Sequence, residues 1–237
     1  MANIALLIAG GTGARMHQDI PKQFLSVNDK PVIVYTIEAF QNHPDIDAIY
    51  IACLNGWQDI LHAYVKQFNA EKVKGIVEGG KNGQDSIRNG VYAIAKDFDE
   101  KDLILVHDAI RPMVSADIIS DNIVKCRKYG NAITVIPCME AMLKSENEHY
   151  SKESILRNSL FRAQTPQTLS VKDAISIHRE ALEKGITNSV ATCTLLLELG
   201  YEVFFARGSE LNIKITTTDD ITIFKALLSM QKSTWLK

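Results

Sequence analysis

A Rossmann-like α/β fold, a mostly parallel sheet flanked by helices, is what this sequence predicts, and three observations predict it. Apolar runs of strand length alternate with stretches whose apolar residues recur at helical spacing, the pattern of the strand–helix–strand units that build parallel sheets. The first run, Ile4 to Ala9, is apolar without alternation and stops at Gly10-Gly11, as a strand covered on both faces and followed by a functional loop would. The 237 residues, 46% hydrophobic and 23% charged, fall outside the disordered and collagen-like classes and suffice for one core. A single unit over 1–237 is therefore expected.

The elements follow in order. After Ile4 to Ala9, Pro31 stands at an expected first helical turn, and Ile33, Val34, Ile37 and Phe40 repeat with helical spacing behind it. Ile46 to Leu54 is a second apolar strand, and Val73 to Val77 a third that ends at Gly79-Gly80. Ser86 to Phe98 reads as helix, Leu103 to Val106 as buried strand, Ala116 to Cys126 as helix and Ala132 to Pro137 as strand. Ligands of such sheets collect beyond the carboxyl ends of the strands, where the candidate loops lie. From Glu140 to Arg162 the pattern lapses, because Lys144, Ser145, Glu146, Asn147, Glu148 and their neighbours leave little to bury, so this segment is expected to project. Ala174 to Leu182 and Ala191 to Leu199 read as helices, Glu202 to Ala206 as strand, and Ile221 to Met230 as a closing helix with Asp219 and Asp220 at its positive end. No internal repeat or low-complexity linker interrupts the chain.

Charge narrows the partners. A formal net charge of −2 gives no global reason to expect nucleic acid or an anionic membrane surface, so any anion must be held locally. Cys53, Cys126, Cys138 and Cys193 are far apart with no CxxC pair, and read as buried free thiols rather than as zinc or redox ligands. The opening apolar run is cut short by glycines and has no basic flank or cleavage site, so a cytoplasmic protein without membrane span is expected.

Chemistry concentrates at the first loop. In Ala9-Gly10-Gly11-Thr12-Gly13-Ala14-Arg15, three glycines let backbone N–H groups approach phosphate oxygens without Cβ obstruction. The residues alone allow a phosphate cradle or an ordinary glycine turn. They exclude a Walker loop, which needs Gly-Lys-Ser/Thr at its end, and a dinucleotide fingerprint, which needs a small residue where Met16 stands. Two cations are offered instead, Arg15 and Lys22. Phosphoryl and nucleotidyl transfer ask for charge neutralisation and alignment more than covalent help, and cations beside a backbone cradle supply both.

Gly10 to Met16 followed by Pro21-Lys22-Gln23-Phe24-Leu25 resembles the opening of the cytidylyltransferases that act on methylerythritol 4-phosphate and ribitol 5-phosphate. Further matching segments follow in order: Gly79-Gly80, Ser86 with Asn89-Gly90, Val106 to Pro112, Ala163-Gln164-Thr165-Pro166-Gln167, and Asn212 to Thr217. The resemblance covers nearly the whole chain and implies transfer of CMP from CTP to a small polyol phosphate, with Mg²⁺ as cofactor. Residue by residue, it implies that Ala9, Gly10, Gly11, Thr12 and Gly13 cradle the triphosphate, and that Arg15, Lys22 and Lys214 stabilise the reacting phosphorus. Gly80 and Ser86 would help read the cytosine, with Ala109 also on the nucleotide side. Asp108 and Arg111 would sit between nucleotide and acceptor, Asp108 also near the metal, and Thr165 would face the acceptor. The attacking group in this family is an acceptor phosphate oxygen, already anionic, so no general base is called for, and His107 reads as a packed or turn-capping histidine. The resemblance further implies a homodimer, in which an arm over about 138–164 crosses to the neighbour and brings Arg157 to its acceptor pocket.

Three positions depart from the family pattern: Gly83 where an arginine is usual, Glu140-Ala141 in place of the Asp-Thr pair that begins the arm, and Ser189-Val190-Ala191 in place of the Thr-Asp start of the helix that, by the resemblance, lines the acceptor pocket. They keep open which alditol phosphate is taken, and motivate an alternative in which the chain binds CTP as a regulatory protein without turnover. A glycosyltransferase would present an Asp-x-Asp pair after a strand, whereas Asp45-Ile46-Asp47 precedes one.

Overall fold

The structure, a computed structural model, describes residues 1–11 and 20–232. In chain order it begins with β1 (Asn3–Ala9), a 3-10 turn (Lys22–Phe24), a two-strand ribbon of β2 (Ser26–Val27) and β3 (Lys30–Pro31), and α1 (Val32–Gln41). β4 (Ala48–Cys53), α2 (Gln58–Gln67), β5 (Val73–Glu78), α3 (Gly83–Ile94), β6 (Leu103–Asp108) and α4 (Ala116–Tyr129) follow. The second half comprises β7 (Asn131–Pro137), β8 (Met142–Lys144), β9 (Glu153–Ile155), β10 (Phe161–Ser170), α5 (Val171–Glu183), α6 (Thr192–Glu198), β11 (Phe205–Arg207) and α7 (Thr218–Lys232).

β1 runs through the middle of a seven-stranded sheet of order β11-β7-β10-β6-β1-β4-β5. Its residues alternate between two cores. Ala5, Leu7 and Ala9 join one apolar cluster with α1, α2 and α4, while Ile4 and Leu6 join another with α3, α5 and α6. Both faces are covered, which is why the sequence of β1 carries no polar alternation. The pairings β1·β4, β1·β6, β4·β5 and β7·β11 are parallel, and β10 alone runs antiparallel, between β6 and β7. A third cluster seats α7 through Phe224 and Leu228 on Val27, Val32, Ile110 and Ile215.

Several boundaries move for local reasons. Pro31 caps α1 from the end of β3 instead of opening its first turn. α3 begins at Gly83 rather than Ser86, because the Asn82 side chain accepts a hydrogen bond from the Asp85 N–H and caps the helix there. β6 runs on through His107 and Asp108. The final strand is Phe205–Arg207, later than the expected Glu202 to Ala206. α2 had no apolar signal in the sequence since Leu61 is its one buried residue, and β10 was hidden by the polar run Gln164 to Thr168.

The polar segment does project. Its hairpin, β8 paired antiparallel with β9, is wholly exposed, and the neck closes where the Cys138 N–H donates to the Leu160 carbonyl at 2.9 Å. The four cysteines are free and buried. Among the described residues no helix is long and apolar enough to cross a membrane.

Two stability measurements test this packing. A Cβ added at Gly90 would lie 2.3 Å from Leu6 Cδ1, inside the α3–β1 contact. Alanine normally gains about 1 kcal/mol over glycine in a helix, but overpacking a core costs about 1–3 kcal/mol, so Gly90→Ala is expected to lower the denaturation midpoint rather than raise it. His178 is buried on α5 with no partner for Nδ1 among the described residues; burial foremost, and Arg88 next, push its pKa from 6.5 down to about 4. It stays neutral in the fold while the unfolded chain takes a proton below about pH 6.5, so this group loses about 1.4 kcal/mol of stability per pH unit between about 6.5 and about 4. In urea titrations across that window, His178→Leu should flatten the pH slope by about one proton.

Candidate active site

A cleft of about 590 Å³ opens beyond the carboxyl ends of β1 and β6, where Ile8 stands in register with Asp108. Its floor is built by backbone approaching backbone. A Cβ on Gly10 would lie 2.8 Å from Ser86 Oγ, one on Gly79 would lie 3.0 Å from the Cys53 carbonyl, and one on Gly80 would lie 2.1 Å from Asp85 Cβ. Only glycine lets these turns meet. Ser86, 2% exposed, accepts from the Gly80 N–H at 2.9 Å and donates to the Asn82 carbonyl at 2.8 Å, so its hydroxyl shapes the Gly80 turn from within.

The described start of the first loop, Ala9 to Gly11, is held by Gln23, part of the Pro21 to Leu25 segment. Gln23 is 1% exposed and its Nε2 donates to the carbonyls of both Ala9 and Gly11, each at 2.9 Å. Its neighbour Phe24 stacks on Trp57 with ring centroids 4.6 Å apart. With two successive side chains sunk into the protein, the 3-10 turn carries Lys22 to the cleft wall beside Gly10 and Gly11. Thr12, Gly13 and Arg15 lie outside the described residues.

The same cleft holds a charge cluster. Arg111 Nε donates to Asp108 at 3.1 Å and Lys214 Nζ reaches the same carboxylate at 3.1 Å. Burial alone would raise the Asp108 pKa, but the charges of Lys214 and Arg111 outweigh it and hold the carboxyl below its ordinary value. Lys214 is delivered by a clamped segment: Asn212, fully buried, donates to the Thr165 carbonyl at 2.9 Å and accepts from Arg111 at 2.7 Å, and the Ile215 N–H donates to Ile110 at 2.9 Å. Asp108 is the single carboxylate lining the cleft among the described residues, which hold no group of three or more metal-binding side chains.

His107 is fully buried beneath this cluster, and burial chiefly pushes its pKa down to about 4. Neutral, it donates from Nε2 to the Arg111 carbonyl at 3.1 Å and accepts at Nδ1 from Thr165 Oγ1 at 3.0 Å; Thr165 in turn accepts from the Asp108 N–H at 3.1 Å. The packed histidine of the sequence reading is thus a strut under the Asp108–Arg111 turn.

Ala9, Gly10, Gly11, Lys22, Gly80, Ser86, Asp108, Arg111, Thr165 and Lys214 therefore gather around one cleft. Two expected residues do not. Ala109 is fully buried behind the cleft, its N–H donating to Ile8 and its carbonyl accepting from Thr36. Arg157 sits on the arm, its guanidinium donating to the Met139 carbonyl at 2.8 Å. Lys81 lines the cleft as a further cation, signalled in the sequence only by its place directly after Gly79-Gly80.

Comparison with known proteins shows the family. A family described as "IspD: 2-C-methyl-D-erythritol 4-phosphate cytidylyltransferase" matches residues 3–230. A Lacticaseibacillus paracasei protein named ribitol-5-phosphate cytidylyltransferase is 42% identical over 226 residues, covering 94% of this chain and 97% of the relative. A Clostridium botulinum protein named 2-C-methyl-D-erythritol 4-phosphate cytidylyltransferase is 37% identical over 228 residues, covering 95% and 97%. Among solved structures, the 4-diphosphocytidyl-2C-methyl-D-erythritol synthase of Anaerococcus prevotii has a TM-score of 0.80 over 96% of each chain at 23% identity, a likeness of fold. With a match that runs almost from end to end, the chain belongs to the IspD cytidylyltransferase family.

Proposed function

We propose that this protein transfers CMP from CTP to a polyol phosphate, D-ribitol 5-phosphate or 2-C-methyl-D-erythritol 4-phosphate, and releases pyrophosphate. The observation that carries the reading is that one cleft is lined by close-packed glycine turns, by Lys22 and by the Asp108–Arg111–Lys214 cluster. The higher identity to the ribitol-5-phosphate relative makes that acceptor the first to test.

In the proposed step an acceptor phosphate oxygen attacks the α-phosphorus of CTP in line, the new P–O bond forms, and the bond to the β-phosphate breaks to release pyrophosphate. A phosphate monoester is largely dianionic at neutral pH, its second pKa being about 6, so no base must activate it. His107, fully buried with both ring nitrogens engaged, is a support rather than a proton acceptor. Ala9, Gly10 and Gly11, with Thr12 and Gly13, would present backbone to the triphosphate, and Gly80 with Ser86 would bound the cytosine. Arg15, Lys22 and Lys214 would offset charge as it builds on the α-phosphate. Arg111 and Thr165 would orient the acceptor. Asp108 fits Mg²⁺, which prefers one or two carboxylates together with substrate phosphates over a cage of protein ligands. Bound there, the ion would neutralise phosphate charge. Residues 1–237 would act as one catalytic unit in the cytoplasm.

The arm over about 138–164 is assigned to a homodimer contact. Met139 at 70%, Leu143 at 67% and Leu156 at 81% exposure leave an apolar surface that a monomer has no use for. Arg157, remote from its own cleft, would serve the neighbour's acceptor site.

Pyrophosphate release from CTP and Mg²⁺ should therefore require a polyol phosphate and be fastest with ribitol 5-phosphate or methylerythritol 4-phosphate; CTP binding with no release across a panel of alditol phosphates would favour a regulatory role instead. Lys22→Ala should cut kcat by about 10²–10³-fold with little change in melting temperature. Arg157→Ala should chiefly weaken acceptor use. At an acceptor concentration where each variant alone is nearly silent, mixing the two with subunit exchange should restore about a quarter of wild-type activity, since half the dimers then hold one intact site of two. No recovery would place Arg157 outside the shared site.

A further inference from the structure

We infer that Gln84 is a positioning residue for the acceptor end of the cleft, acting as a staple between the nucleotide-side helix and the segment that walls the acceptor side. The inference rests on the cytidylyltransferase reading of the cleft. Between α5 and α6 the chain passes through residues 184–191 without regular structure, yet it supplies the wall: Val190 is 90% exposed, and Ala191 and Thr192 follow it along the cleft. The Thr192 hydroxyl, on a residue 4% exposed, has no partner among the described residues. A wall with so little backbone pairing of its own must be held from outside.

Gln84 does this from the first turn of α3. It is 2% exposed; its Nε2 donates to the Ile186 carbonyl at 2.7 Å and its Oε1 accepts from the Ser189 N–H at 2.7 Å. Asn82 adds a donor to the Thr187 carbonyl at 2.9 Å, and at the far end the Cys193 N–H donates to Gln167 Oε1 at 2.8 Å. Only a planar amide offers a donor and an acceptor at that spacing; a carboxylate accepts twice and an apolar side chain does neither. The same turn of chain carries Gly80 and Ser86, so one rigid piece shapes the nucleotide floor on one side and fixes the acceptor wall on the other. A loosened wall would leave CTP binding intact while the acceptor loses its alignment, and misplacement of about 1 Å can cost up to about 10²-fold in rate.

The test uses the full-length enzyme, with CTP and whichever polyol phosphate it turns over best. Gln84→Ala should raise the acceptor KM, or lower kcat/KM for the acceptor, by about tenfold or more while the KM for CTP stays within about twofold. Hydrogen exchange over residues 186–191, measured without substrates, should accelerate at the Ser189 amide. Gln84→Glu should match the alanine variant at neutral pH and recover relative to wild type as the pH is lowered and the carboxyl protonates, because a carboxylic acid regains the donor. Asn82→Ser keeps a capping oxygen at the helix start, adds no charge to the cleft and loses the amide donor to Thr187, so it should move the same constants by a smaller factor with little change in melting temperature, and it carries the test should Gln84→Ala not fold. Faster exchange with unchanged acceptor kinetics, or equal loss for CTP and acceptor, overturns the inference. If the wild type releases no pyrophosphate with any acceptor, the cytidylyltransferase reading fails and the positioning role falls with it, a result the exchange measurement keeps apart from a missing staple.

Discussion

Asp108 touches Arg111 and Lys214 at 3.1 Å each, and the shape of the cleft depends on that three-way contact. Two like charges about 4 Å apart in a protein-like medium repel by about 4 kcal/mol, so cations gathered for a triphosphate need a counter-charge while the site is empty. Asp108 supplies it from the end of a buried strand, and because its neighbours hold it ionised, it does so well into the acid range. The contact also joins two chain segments far apart in sequence, the end of β6 with its turn to Arg111 and the clamped stretch from Asn212 to Ile215. On the proposed reading, arriving phosphates take over part of this neutralising role, and the cations change partners without a large movement.

Around that contact, the site is fixed by buried amides and close glycine packing rather than by long charged side chains. Gln23 holds Ala9 and Gly11 through Nε2, Gln84 the acceptor wall through both amide groups, and Asn212 the Lys214 segment through Nδ2, each nearly or fully buried. A buried hydrogen bond of this kind is costly to break, so each amide fixes the backbone it binds.

What the sequence made legible follows from the same physics. β1, β4, β6 and β7 are largely apolar because both sheet faces are covered there, so they could be read as strands directly. β10 could not: Gln164, Thr165 and Gln167 are polar because they are structural, and polarity at single-sequence level looks like a loop. α2 was missed because one buried residue leaves no period to detect. The charged residues Lys22, Asp108, Arg111 and Lys214 were found because motif and charge mark them, whereas Gln23 and Gln84 act through geometry that only folding reveals. Ala109, the first residue past β6, is fully buried behind the cleft, where its N–H and carbonyl bond Ile8 and Thr36.

The arm leaves the sheet between two adjacent strands, β7 and β10, and its neck is closed by a bond from Cys138 to Leu160. A segment inserted at one gap in a finished sheet can change length and sequence without disturbing the register on either side. If it carries part of the neighbour's acceptor pocket, then natural variation there alters substrate choice in pairs of subunits at once, while the nucleotide end is inherited unchanged. Divergence of acceptor preference within one scaffold would then proceed through the quaternary contact first, and two diverged copies expressed together would form mixed dimers whose two sites differ.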